Sequence, residues 1–136
     1  MAKGHIRTVN LRGSGISAEE GETIIRADRS NPVLGNPFHM ANRSMQERER
    51  VIALSNARVE KDLARGGPIS KVLSGLAARV ADGEQIALQC WCAPLPCHCD
   101  KYVEVVQRMA DELINNPAVH QQVEAKDLNR PVFRFH

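Results

Sequence analysis

Gln85-Ile86-Ala87-Leu88-Gln89-Cys90-Trp91-Cys92-Ala93-Pro94-Leu95-Pro96-Cys97-His98-Cys99-Asp100 is the stretch on which the reading of this chain turns. Its opening residues, bounded by Asp82-Gly83, form a short apolar run with the pattern of a buried strand. At its far end Asp100 is suited to cap a helix, since Val103, Val106, Met109, Ala110 and Leu113 recur at helical spacing. All four cysteines, the only tryptophan, one of the five histidines and two of the seven prolines lie between Cys90 and Asp100. The sulfur-rich segment is therefore a strand-to-helix connection, a place where α/β proteins put ligand sites.

Upstream, His5 to Leu11 alternates polar and apolar as a half-buried strand does. Thr23-Ile24-Ile25-Arg26-Ala27-Asp28 is a second strand, its β-branched residues suited to a pleated surface. Arg29-Ser30-Asn31-Pro32-Val33-Leu34-Gly35-Asn36-Pro37-Phe38 follows, with two prolines framing Gly35-Asn36, so the backbone there is a defined turn. Ser44-Met45-Gln46-Glu47 fits a capping box and opens a helix with an inward stripe of Val51, Ile52, Val59 and Leu63. Gly66-Gly67-Pro68 stops it, and Ser70 is placed to cap a further helix carrying Val72, Leu73, Leu76 and Val80.

Two strands, two helices, a strand and a helix predict a small Rossmann-like three-layer α/β domain with a short, mostly parallel sheet. With 136 residues the chain is read as a single domain, 1–136, with a core over 5–115 and a C-terminal extension over 116–136. In that extension Pro117 to Lys126 suits a short helix, and Val132-Phe133-Arg134-Phe135 an edge strand or ordered tail.

A formal charge of +2 is too weak to argue for nucleic acid or a membrane surface, and 4% aromatics leave no row of base-stacking rings. Arg43, Arg48, Arg50, Arg58 and Arg65 are interleaved with Glu47, Glu49, Glu60 and Asp62, the pattern of a solvated helix face. No run approaches the roughly 18 apolar residues of a membrane span. Met1-Ala2-Lys3-Gly4-His5 leads into no apolar signal core, so a cytoplasmic protein is expected. There, cysteines point to thiol chemistry or metal more readily than to disulfides.

The chain resembles the domain-of-unknown-function 4326 family of bacterial and phage proteins. The resemblance rests on Val9-Asn10-Leu11-Arg12, on Leu34-Gly35-Asn36-Pro37-Phe38, and on Cys90-Trp91-Cys92-Ala93-Pro94-Leu95-Pro96-Cys97-His98, in the family's order. Cys99 departs from it, standing where the family is usually glycine-like. The resemblance implies a shared site and names no reaction.

Two readings of that site stay open. In the first, Cys97 and His98 precede a helix start, whose unpaired N–H groups and dipole favour anions and lower a thiol's pKa. Cys97 then serves as nucleophile beside His98, on a nucleotide-like or other anionic small molecule. That ligand would be held by Arg29, Gly35, Asn36 and Asp100, with Arg26, Asp28 as base and His39 as lesser candidates. In the second, thiolates of Cys90, Cys92, Cys97 and Cys99, or three of them with His98, hold zinc. The protein is then a zinc-stapled interaction module, for example a phage protein that binds a host protein and does no chemistry. A Cys-x-Cys pair in an extended strand points its side chains to opposite faces, so chelation requires the strand to end near Trp91. The plain structural reading makes Cys90 and Cys92 small buried hydrophobes and Phe38 a core plug. Whether the protein is an enzyme is not decided by sequence. The first reading requires the Gly-Asn turn and the cysteine segment to face each other at one sheet edge.

Overall fold

The structure, a computed structural model, describes residues 3–10, 18–28, 30–38, 40–90 and 97–116. Expectations that fall elsewhere, including Arg29, His39, Trp91, Cys92 and the chain from 117 onward, lie outside the described residues. Six elements follow in order: β1 (His5–Asn10), β2 (Thr23–Arg26), α1 (Met45–Arg65), α2 (Pro68–Ala81), β3 (Gln85–Cys90) and α3 (Cys99–Asn115). The strands form one open sheet in the order β1-β3-β2, parallel throughout. This is the expected Rossmann-like α/β class.

Insertion of β3 between the first two strands explains its apolar character, because a central parallel strand is covered on both faces. Ile6 pairs with Ile86, and Leu88 stands between Thr8 and Ile25. Ile6, Ile25, Ile86, Leu88 and Cys90 meet Leu73, Leu76 and Val80 of α2 and Tyr102, Val105 and Val106 of α3 in one core. Burying each such aliphatic side chain contributes about 1.5–3 kcal/mol. Val9 and Ala87 alternate to the other face and are also fully buried, so that face is covered at β1 and β3, while Ile24 beside Ala87 on the edge strand β2 is 52% exposed. Arg7 donates from Nε and Nη2 to both oxygens of Glu22, at 2.8 and 2.7 Å, and so ties the approach to β2 onto β1. The Arg7 guanidinium, helped by the Glu19 N–H and His5, holds the Glu22 carboxyl far below the usual range.

The stripe on α3 is shifted from the one expected. Tyr102 and Val105 are fully buried, while Val103 and Met109 only pack against the core margin. On α1, Ser44 Oγ accepts the Glu47 N–H at 3.1 Å, but the box is not reciprocal. Glu47 Oε2 instead takes the Ala41 N–H at 2.6 Å, and Asn42 Oδ1 takes the Ser44 N–H at 2.9 Å. Val51 and Val59 are buried as expected; Ile52 and Leu63 are half-buried, and Ser55 and Asp62 fill the other inward places.

Asp62 explains the turn between α1 and α2. Gly66 closes α1 in the left-handed conformation, φ 66°, and Gly67 is the N-cap of α2 with no side chain to offer. Ser70 therefore does not cap this helix, which begins three residues earlier than expected. Asp62 reaches across to accept the Ile69 and Ser70 N–H groups at 3.2 and 2.7 Å. A Cβ on Gly67 would stand 2.4 Å from Asp62 Oδ2, so glycine clears the carboxylate's path. Replacing Asp62 by alanine is expected to cost about 2 kcal/mol, the cost of a lost cap with two buried donors orphaned. Asp62→Asn, which keeps one acceptor, should lose about half as much, and urea midpoints of the two variants check the order. No helix among the described residues is long and apolar enough to cross a membrane.

Candidate functional site

A parallel sheet brings the carboxyl ends of its strands to one edge, and here Asn10 and Cys90 are register partners there, beside Arg26 and Gln89. The chain leaves β2 into the turn around Leu34 and leaves β3 into the cysteine segment, so both irregular stretches start from that edge.

The turn is built by its own asparagines. Asn31 Oδ1 accepts the Val33 and Leu34 N–H groups, each at 2.9 Å, and its Nδ2 donates to the Arg26 carbonyl at 2.9 Å. Asn36 Oδ1 accepts the Phe38 N–H at 2.9 Å, an Asx turn. Gly35 is buried, and its φ is not positive. Phe38 is half-buried rather than a full core plug. Asp28 is occupied: Arg26 Nη2 and Ser30 Oγ each stand 2.5 Å from its carboxylate oxygens. Arg26, with Ser30, holds the Asp28 carboxyl down to about 2, against the burial that opposes ionisation. A carboxylate so held is a weak base at neutral pH, so Asp28 locks the exit of β2.

In the cysteine segment the helix starts one residue before the expected cap. α3 begins at Cys99, and His98 holds the N-cap place with helical angles and no side-chain cap bond. Asp100, expected as N-cap, lies in the first turn, where its Oδ2 accepts the Cys97 N–H at 3.1 Å and folds the segment back on itself. Cys97 and Cys99 therefore straddle a turn, while β3 ends at Cys90 and the partner of Cys90 in the other Cys-x-Cys pair, Cys92, lies outside the described residues. The sulfurs of Cys97 and Cys99 face inward to meet Cys90. The Sγ atoms of Cys90 and Cys97 are 3.2 Å apart, and the three sulfurs all lie within 4.8 Å of one another. Cys90, Cys97 and Cys99 are 1%, 3% and 0% exposed. The Cys99 N–H points at Cys97 Sγ at 3.4 Å, a bond that stabilises charge on sulfur.

His98 is the direct link between the two stretches. Its Nε2 lies 2.9 Å from the Ala27 carbonyl and 3.1 Å from that of Leu34. Both partners are acceptors, so Nε2 carries the proton and donates to both. The other ring nitrogen, Nδ1, stands 3.5 Å from Cys97 Sγ. Tyr102, one turn along α3, packs edge-on against the imidazole with centroids 5.7 Å apart. Thus the Gly-Asn turn and the cysteine segment do face each other, and they meet through the His98 ring. Burial pushes the Tyr102 phenol well above its ordinary range, eased by the neighbouring Arg58 guanidinium.

Sequence reasoning missed Tyr102, Asn31 and Arg58, whose Nη2 donates to the Val33 carbonyl at 3.3 Å. Tyr102 had a signal, lying four residues after His98 and hence on its side of the helix. Asn31 before Pro32 had another, an Asx residue opening a turn. Arg58 had none, because its partner is a loop carbonyl 25 residues away.

Chemically, three thiolates in a buried cluster can hold a thiophilic metal ion. Sulfurs bound about 2.3 Å from one tetrahedral ion stand roughly 3.8 Å apart, a spacing the present cluster reaches with shifts of under about an ångström.

The family model for "Domain of unknown function (DUF4326)" matches residues 9–108. Comparison with curated proteins and with solved structures finds no match. The chain belongs to that domain-of-unknown-function family, and the matched range takes in β2, both site stretches and the first half of α3.

Proposed function

We propose that this family member is a zinc-stapled interaction module. Cys90, Cys97 and Cys99 hold one ion that fastens the end of β3 to the start of α3, with Cys92, outside the described residues, available as a fourth thiolate. The loop edge fixed in this way is the surface presented to a partner protein, such as a host protein. The observation that carries the reading is the convergence of three buried sulfurs from two elements within 4.8 Å. Zinc suits the donor set, because closed sites of three or four thiolates at a tight turn are structural zinc sites. The N–H donated to Cys97 Sγ and the positive end of α3 both favour thiolate over thiol there.

A second reading retains chemistry on a nucleotide-like or other anionic molecule, with Cys97 as nucleophile and His98 as base. In its favour is the His98 ring, oriented by two carbonyls with Nδ1 toward Cys97 Sγ, the arrangement of an activated cysteine. Against it, Cys97 is buried, and Asn36 and Asp100 each spend a side-chain oxygen on the backbone of their own loops.

Elemental analysis of protein purified without chelator separates the two. The staple is expected to give one zinc per chain, with Cys90→Ser, Cys97→Ser and Cys99→Ser each losing most of it. Metal-free protein that zinc neither binds nor stabilises, together with rapid alkylation of Cys97 at neutral pH, is the result the second reading needs.

A further inference from the structure

Between α1 and the turn around Leu34 lies a groove of about 620 Å³. Val33, Phe38 and Ile69 form apolar walls, and Arg58, Lys61 and Arg65 reach it from one face of α1. Neither Arg58 nor Lys61 is ion-paired among the described residues. Asp62, the one acidic residue in the lining, is committed to the α2 N–H groups, with Arg65 Nη2 at 3.8 Å. Arg58 donates from Nη2 to the Val33 carbonyl at 3.3 Å, which fixes its guanidinium at the back of the groove. Behind it stands the phenol of Tyr102, a fully buried residue whose oxygen faces the guanidinium.

We infer that this groove is a binding site for a small phosphorylated molecule with a flat apolar ring, the chemistry of a nucleoside monophosphate. The phosphate meets Arg58 and Lys61, with Arg65 at the rim, and the ring lies against Val33, Phe38 and Ile69. The volume falls within the range of pockets that hold such ligands, and a guanidinium beside an unpaired ammonium matches the charge and geometry of phosphate. The site is separate from the sulfur cluster, so it stands whether or not zinc is bound.

Calorimetric titration of the full chain with AMP, UMP, adenosine and inorganic phosphate tests this. AMP or UMP is expected to bind at least tenfold more tightly than either adenosine or phosphate. Arg58→Gln and Lys61→Gln are each expected to weaken the monophosphate at least tenfold, and added salt to weaken it further. Lys61 is exposed, so its variant remains informative if Arg58→Gln is unstable. No heat with either monophosphate at millimolar concentration, equal affinity for phosphate or adenosine alone, or affinity unchanged in Lys61→Gln overturns the assignment.

Discussion

Replacing His98 by alanine is expected to lower stability by about 3–4 kcal/mol, or about 10–15 °C in melting temperature for a chain of this size. The carbonyls of Ala27 and Leu34 both depend on the Nε2 proton, and they lie 71 and 64 residues from His98 in sequence. Without the ring, two buried acceptors lose their donor, and a space opens where the imidazole met Tyr102. Glutamine offers an amide N–H at nearly the same reach, so His98→Gln should recover about half of the loss. The readout that isolates the bridge is hydrogen exchange. The Val33 and Leu34 N–H groups, held by Asn31, should exchange faster in His98→Ala, while Ile86 and Leu88 keep their protection. A melting temperature within 2 °C of the parent would mean that solvent already serves those carbonyls. Because the proposed site is built from cysteine sulfurs and the His98 ring is spent on two carbonyls, the variant is also expected to keep its metal, which separates its holding role from ligation.

That bridge marks the limit of what the sequence could say. Periodicity located β1, β3, α1 and α2 well, because hydrophobic spacing is a local property and the core follows it. Ser44 was readable for the same reason, since a cap and the N–H it accepts lie three residues apart. Asp62 escaped because it caps α2 from a turn earlier, and only the Gly66-Gly67 geometry shows that the carboxylate has a path. Asp100 was read as a cap from its residue type, but the segment turns back so tightly that Cys97 offers its N–H first. The gathering of Cys90, Cys97 and Cys99 was visible as composition and not as geometry. Strand alternation speaks only to Cys90 and Cys92, whereas the helix start at Cys99 is what turns Cys97 and Cys99 toward Cys90.

Stripping the ion from the sulfur cluster should produce the second large effect, a fall in melting temperature of about 12–20 °C. An ion present at a thousand times its dissociation constant stabilises by about 4 kcal/mol, and each kcal/mol is worth about 3–5 °C at this length. Incubation with a strong chelator, then calorimetry before and after zinc is restored, measures it. The loss should be directional. The core of β1, β3 and α2 is mostly aliphatic, so Ile86 and Leu76 should keep slow exchange while the first turn of α3 loses it. Acid should reproduce the effect, because thiolates must release metal to take up protons, so stability falls as pH drops through the binding range. Cys99→Ser carries particular weight, since the resemblance gives Cys99 no role while the geometry places its sulfur in the cluster. If that variant binds zinc and melts like the parent, the ion rests on Cys90, Cys92 and Cys97. If it loses both, this chain has recruited a sulfur of its own to the site.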